Sequence, residues 1–232
     1  MPQIRSLSIN GRELRLLRYG RVDSTQRITR GLPVETVVIA DSQTAGHGRY
    51  GREWVSPPGG LYTSIVLAPD PLLPLRAGVA VAEALSGCGV PARLKWPNDV
   101  TVDGKKIAGV LIEEADGAMI LGIGVNLDRV PYPGATSVRA AGGRVTAPEE
   151  LLSCILRVLL APTADDAILT RYRALCATIG TEVSISIGRG LIRGRAVGIE
   201  PDGALIVSTA AGARRIASGE CRHLYGRGIR SS

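Results

Sequence analysis

Two stretches of this 232-residue chain combine residue types able to handle a phosphate or a carboxylate. The first is the loop Asp41-Ser-Gln-Thr-Ala-Gly-His-Gly-Arg-Tyr-Gly-Arg-Glu-Trp54, with glycines at 46, 48 and 51 and arginines at 49 and 52. Glycines let a backbone approach an anion closely, and two guanidinium groups in one loop can supply forked, charge-assisted bonds to phosphate oxygens. The glycines also satisfy G-x-G-x-x-G, the dinucleotide-binding turn. That turn must open a helix, however, and Pro57, Pro58, Gly59 and Gly60 follow too closely for one to form. A phosphate-cradling loop of another design and a plain solvated loop both remain open. The second stretch is Lys95-Trp-Pro-Asn-Asp99, followed by Lys105-Lys-Ile-Ala-Gly109. An ammonium at Lys106, beginning a strand, can enter a cleft and stabilise a carboxylate or a developing phosphoryl charge. Read singly, Lys105 and Lys106 fit the decoration of a hairpin better, Trp96 fits a core anchor, and Pro97 ends its strand in any case.

Periodicity and turn chemistry give the elements that must hold these residues. Ile4 to Arg18 reads as one or two strands, Asp23 to Arg30 as a short helix opened by a capping residue, and Thr36 to Ala40 as a β-branched strand. After the glycine-rich loop, Leu61 to Leu67 reads as a strand. Leu75 to Leu85, apolar nearly all round, reads as a buried helix. Strand-like runs follow at Arg93 to Lys95, Lys106 to Glu113 and Ala118 to Val125, with Asp103-Gly104 and Asp116-Gly117 as hairpin signals, so antiparallel pairing is expected. Beyond a Pro/Gly-rich loop at Pro131 to Gly143, helices are expected over Pro148 to Leu160 and Asp165 to Thr178. The texture after Gly180 is different: Val183 to Ile187, Leu191 to Val197 and Ala204 to Val207 are short alternating runs. The chain therefore divides near residue 178, into an α+β domain (1–178) with a mixed, mainly antiparallel sheet and a compact, barrel-like β domain (179–232).

Composition bounds what such a chain can do. With 45% hydrophobic residues it can bury one sizeable core, and with 3% aromatics and no Phe that core must be aliphatic. The four cysteines lie far apart without C-x-x-C spacing, and Met1 to Asn10 has no signal-peptide pattern, so reduced thiols in a cytoplasmic protein are expected. No run approaches the roughly 18 apolar residues of a membrane span. A formal charge of +7 suits a nucleic-acid partner, an anionic small substrate or mere Arg-rich composition, and no zinc spacing or RNA-binding signature selects the first.

Taken in order, Asp23-Ser24-Thr25, Gln43 with Ala45 to Trp54, Lys95 to Asp99, Lys106-Ile-Ala-Gly109 and Gly122-Ile-Gly-Val-Asn126 closely resemble the biotin protein ligase family. The resemblance spans nearly the whole chain. The tail from Val183 through Gly219-Glu220 is similar to that family's SH3-like β domain, and the whole to its short class without a DNA-binding domain. It implies a class II synthetase-like catalytic fold, with ATP and biotin as substrates, Mg2+ as escort, and a biotin carboxyl carrier domain as acceptor. Members are dimers or monomers, so a homodimer is one allowed state, and no DNA or membrane partner is expected. Ser24, Thr25 and Gln43 would bind the ureido ring. Gly48, Arg49, Arg52 and Trp54 would close over carboxylate and phosphates, Lys106 beside Gly109 would bridge biotin carboxylate and α-phosphate, and Asn126 would read adenine beneath a 131–137 cover. Asp99 is a candidate to take the acceptor lysine's proton.

Two departures stand out: His47 occupies a position where most members carry Arg, and Gln26 replaces the usual Asn. Contact at His47 through the backbone is the favoured expectation. A lipoate or octanoyl ligase, a basic nucleic-acid module and a non-catalytic biotin binder are the rival classes. The Trp-Pro-Asn-Asp run and the Ser24/Gln43 pair favour a ureido ring over an alkyl chain.

Overall fold

A computed structural model of the protein describes residues 1–145 and 147–224. The chain opens with a hairpin, β1 (Gln3–Ile9) and β2 (Arg12–Val22), turning on Asn10 and Gly11 at φ of 50° and 77°. One turn of helix, α1 (Thr25–Ile28), leads to β3 (Thr36–Gln43), which lies parallel to β2. Strand β4 (Gly60–Leu67) pairs antiparallel with β3, and helix α2 (Leu73–Gly87) follows it. Then come β5 (Arg93–Lys95), β6 (Asp99–Val102), β7 (Lys105–Ala115) and β8 (Ala118–Asn126). The Asp103-Gly104 and Asp116-Gly117 turns join β6 to β7 and β7 to β8, and all four residues have positive φ, as a type I′ hairpin requires. Helices α3 (Pro148–Leu159) and α4 (Asp165–Leu175) complete the larger part.

The strands form one eight-stranded sheet in the order β1-β2-β3-β4-β8-β7-β6-β5, in which only β2 and β3 run parallel. Helix α2 is buried along most of its length and packs against α3, α4 and the β5 to β7 strands. Its Leu73, Leu75, Val79, Val81 and Leu85 join Leu14, Leu16, Ile65 and Leu121 of the sheet in an aliphatic core, as a chain without Phe demands. Tyr172 of α4 is the largest fully buried side chain.

Strand β6 has no place in the sequence reading: four residues after Pro97 are too short to register as a run. Helix α4 stops three residues before the expected Thr178. There Cys176 bridges to Leu94 and the Ala177 amide donates to the Leu94 carbonyl (2.8 Å), so the backbone continues beside β5 instead of coiling.

The rest of the described chain is a second sheet of β9 (Glu182–Ile187), β10 (Gly190–Ile199), β11 (Leu205–Thr209), β12 (Gly212–Ile216) and β13 (Glu220–His223). Its order is β12-β11-β10-β9-β13, all antiparallel; β12 and β13, two further strands beyond those expected, are its edges. The final residues of the expected C-terminal domain, 225–232, lie outside the described residues. Trp96 stitches the two sheets together. Its indole Nε1 donates to the Gly203 carbonyl and its amide to Thr178 Oγ1, each at 3.0 Å, and the Thr178 hydroxyl also meets His223 Nε2 at 2.9 Å. No helix among the described residues is long and apolar enough to cross a membrane.

Candidate active site

A cavity of about 520 Å³, within the range of small-molecule sites, opens between the glycine-rich loop, the β7/β8 hairpin and β13. One end is neutral and rich in hydrogen-bonding groups. Ser24 is buried at the start of α1, where a capping role was expected, yet its hydroxyl makes no capping bond and faces the cavity. The Asp23 carboxylate takes the Ser24 amide instead (2.6 Å), and this bond, followed by that of Arg27, holds the Asp23 carboxyl below its usual range. Gln43 Oε1 accepts from the Thr25 amide (2.8 Å) and hydroxyl (3.1 Å), while its Nε2 donates to Ser56 Oγ (2.9 Å). Behind them, Ser64 donates to Gln26 Oε1 (2.9 Å), whose Nε2 donates to the Ile120 carbonyl (3.0 Å). Fixing both amide orientations leaves a polar end with a defined pattern of donors and acceptors.

The floor is glycine. Gly109 and Gly124 stand opposite each other on β7 and β8, and the Trp54 indole lies over both. A Cβ at Gly109 would sit 3.2 Å from Trp54 Cζ3, and one at Gly124 would sit 2.7 Å from Cζ2 and closer still to Cε2 and Nε1. The indole N–H is buried without an acceptor, a cost of about 1–3 kcal/mol that a ligand oxygen would relieve. Gly122 is spared a side chain for a similar reason, since a Cβ there would stand 2.7 Å from Gln26 Oε1. The substituted Gln26, its support Ser64 and the glycines 122 and 124 are thus site residues that reading the sequence did not assign. Their signal is the alternating Gly-x-Gly on β8.

Lys106 occupies the middle. Its Nζ is 2.5 Å from Asp99 Oδ1 and 5.2 Å from the Trp54 ring centroid, so the candidate base Asp99 is the lysine's ion-pair partner. Strict alternation would send Lys106 and Gly109 to opposite faces of β7. A register shift between β6 and β7 brings them to the same one: Thr101 faces Lys106 while Val100 faces Ala108. The 131–137 segment straps the start of β7, with the Thr136 amide donating to the Lys106 carbonyl (2.8 Å). Tyr132 of that strap lines the cavity, and burial, with Asp99 nearby, raises its phenol above the ordinary range.

The far end is cationic. Beyond Lys106, four basic side chains, Arg49, Arg52, Lys95 and Arg222, line the cavity together with the carboxylates of Glu53, Asp99 and Glu220. The loop is clasped by Gly48 N–H to Arg52 carbonyl (2.8 Å) and Trp54 N–H to Gly46 carbonyl (2.9 Å). Arg49 donates to Asn98 Oδ1 (3.2 Å), the Gly219 carbonyl (3.3 Å) and the Tyr50 hydroxyl (3.0 Å). Arg52 pairs with Glu220, and that bond holds the Glu220 carboxyl below its usual range. Both arginines therefore rest on the start of β13. Of the loop glycines, Gly46 is the one packed tightly, with Ser56 Oγ 2.7 Å from a would-be Cβ, and Gly51 has φ of 69°; a Cβ at Gly48 would meet only the Arg52 carbonyl oxygen, at 3.9 Å. His47 lines the cavity with Nε2 3.5 Å from Glu113 Oε1, so its side chain has a partner of its own.

Asn126 is set apart from the other expected residues. It is buried, lies outside the cavity lining, and donates to the Thr136 carbonyl (3.0 Å). Among the described residues no three His, Cys, Asp or Glu side chains gather into a metal site.

A mixed sheet carrying an Arg/Gly loop over Lys106, with a small β module at its rim, defines the class of biotin and lipoate ligases. The model of the biotin/lipoate A/B protein ligase family matches residues 19–128, and that of the biotin protein ligase C-terminal domain matches 178–224. The chain is 35% identical to the biotin--[acetyl-CoA-carboxylase] ligase of Paracoccus denitrificans, over 86% of this chain and 97% of that protein. It is 32% identical to the bifunctional ligase/repressor BirA of Bacillus subtilis, over 88% and 73% respectively. In structure it is similar to the Aquifex aeolicus biotin protein ligase in complex with biotin and ATP (TM-score 0.79, 33% identity, 91% of this chain and 99% of that one). The chain belongs to the biotin protein ligase family.

Proposed function

We propose that this cavity converts biotin and ATP to biotinyl-5'-AMP and pyrophosphate, then transfers the biotinyl group to a lysine of a biotin carboxyl carrier domain. The observation that carries the reading is the position of Lys106, between a neutral hydrogen-bonding end and a cationic end of one cavity. In this reading Ser24, Thr25 and Gln43 match the carbonyl and two N–H groups of the ureido ring, and a ligand lacking them leaves buried polar groups unpaired. Trp54 covers the acyl chain, and Gly48 and Gly109 leave room beside it. Lys106 holds the biotin carboxylate against the α-phosphate, with Arg49 and Arg52 turning from β13 to the phosphates.

The carboxylate oxygen attacks the α-phosphorus, the bond to the bridging oxygen breaks, and pyrophosphate leaves. Lys106 and the arginines neutralise the charge that develops on the phosphoryl oxygens. The loop and the 131–137 strap keep water from the mixed anhydride. In the second step the acceptor's amine attacks the acyl carbon, the bond to the phosphate oxygen breaks and AMP departs, and Asp99, freed when Lys106 turns to the ligand, takes the amine's proton. We assign Asn126 to the nucleotide as the anchor of the strap. The described residues gather no metal site of their own, so Mg2+, which binds through few carboxylates and the phosphates themselves, is assigned no ligand here.

We further propose that residues 1–178 carry both chemical steps and that the chain from 179 on completes the rim. The four free cysteines accord with a cytoplasmic protein. Incubation with biotin, ATP and Mg2+, read by mass spectrometry, is expected to yield biotinyl-AMP and a biotin-sized mass shift on an added carrier domain. Absence of both products would overturn the proposal.

A further inference from the structure

A chain of buried polar groups runs behind the neutral end of the cavity, from the Ile120 carbonyl of β8 through Gln26 and Ser64 to Thr25. Its far end is fixed. A carbonyl can only accept, so the Gln26 amide must turn Nε2 to Ile120 (3.0 Å) and Oε1 to Ser64. Gln26 is one of the two departures from the family pattern, and its long amide spans from α1 to both β4 and β8. Glycine at 122 makes room for its oxygen, which would stand 2.7 Å from a Cβ there. Ser64 has a single proton, and Gln26 Oε1 takes it at 2.9 Å. The contact between the Ser64 and Thr25 hydroxyls is 2.8 Å, the ordinary length of an O–H···O bond. With the Ser64 proton already committed, that bond runs on the proton of Thr25.

Thr25 thus spends its proton away from the cavity. The longer contact, to Gln43 Oε1 at 3.1 Å, receives only the remainder of it, and that oxygen is served chiefly by the Thr25 amide (2.8 Å). Thr25 Oγ1 and Gln43 Oε1 both line the cavity with acceptor capacity to spare, and the Ser24 hydroxyl, which caps nothing, is free to donate. Ser24, Thr25, Gln26 and Ser64 are all buried, so what the protein leaves unmatched here a ligand must match. Two acceptors and one donor complement a cyclic urea, with its two ring N–H groups and one carbonyl.

We infer that Gln26 and Ser64 are positioning residues that set the specificity of this end: by drawing the Thr25 proton back into the protein, they make the cavity require a ligand with N–H groups. The inference rests on the ligase reading above. Without Gln26 Oε1, the Ser64 proton turns to Thr25; without Ser64, the Thr25 proton has lost its acceptor. In either case Thr25 gives its proton to Gln43 Oε1, and one of the two acceptors is spent. Both losses lead to the same state, so their effects should not add.

The test uses the full chain, with biotin and with a biotin methylated on one ring nitrogen. Ser64→Ala and Gln26→Met should each raise the KM for biotin about 10-fold, the effect of one buried group left unpaired, with the KM for ATP unmoved. The double variant should bind biotin no more weakly than the weaker single one. Methylation removes one N–H, and it should cost the variants less than wild type, because they have already lost an acceptor. If Gln26→Met does not fold, Ser64→Ala and the methylated ligand decide alone. A biotin KM that does not move, penalties that multiply to about 100-fold in the double variant, an equal rise in the KM for ATP, or a methylation cost common to all the proteins overturns the inference. A wild-type protein that forms no biotinyl-AMP would instead remove the ligase reading itself.

Discussion

Substituting Gly124 by alanine tests how the site is held. The new methyl group would sit 2.7 Å from Trp54 Cζ2, and nearer to Cε2 and Nε1. Carbon atoms pack at about 3.5–4.0 Å, so the indole has to retreat by about 1 Å. Trp54 belongs to a loop and not to the core, so the ring can yield without dismantling the sheet. The cost in stability should stay near the low end of the 1–3 kcal/mol typical of overpacking. Catalysis is less forgiving: a displacement of about 1 Å in a positioning group can cost on the order of 100-fold. Gly124→Ala should therefore lose about 10- to 100-fold in biotin-dependent pyrophosphate release with a small change in Tm. Gly20→Ala, where an added Cβ meets nothing within 4 Å, should behave as wild type in both. The decisive measurement repeats Gly124→Ala in a Trp54→Ala background, where the clash no longer exists. If alanine at 124 costs the same with and without the indole, the steric argument is wrong.

Lys106→Ala should lower biotinyl-AMP formation by about 100- to 1,000-fold, roughly 3–4 kcal/mol of transition-state stabilisation, read in single-turnover pyrophosphate release. A near-normal rate would refute its role. Trp96→Phe removes the indole donor to the Gly203 carbonyl, and chemical denaturation should show a loss of about 1 kcal/mol. No change would mean that this bond does not tie the sheets. Glu220 has a carboxyl lowered from its ordinary value near 4.5 by Arg52. Its contribution is therefore present above that value and fades as pH falls through the lowered one. Between pH 6 and pH 3, the Tm of wild type and Glu220→Gln should converge on acidification; curves that stay parallel would exclude the pair as the cause.

Local signals carried the framework of this molecule, and their failures are local too. The Asp-Gly pairs at 103 and 116 place two hairpins because a left-handed pair of residues admits few alternatives. Strand β6 and edge strands β12 and β13 are four or five residues long, and each exists through the pairing offered by a neighbour rather than through its own pattern. The same limit applies to the arginine loop. Its residue types announce an anion site, but where Arg49 rests depends on Gly219, 170 residues away in sequence. The co-facing of Lys106 and Gly109 depends on a register shift between β6 and β7, which no composition records.

Asn126 shows where alternation informs and where it stops. Gly122, Gly124 and Asn126 share one face of β8, and the first two lie against Gln26 and Trp54 in the site, yet Asn126 lies outside the cavity lining. Direction along a strand says nothing about what covers the end of it. Here the 131–137 strap turns back, the Val138 amide bonds the Asn126 carbonyl, and the Thr136 carbonyl takes the side-chain donor. The Asn126 side chain keeps a second N–H and its Oδ1 beyond the bond to Thr136. The position of Asn126 is thus set by a loop whose Pro/Gly composition promised only irregular backbone.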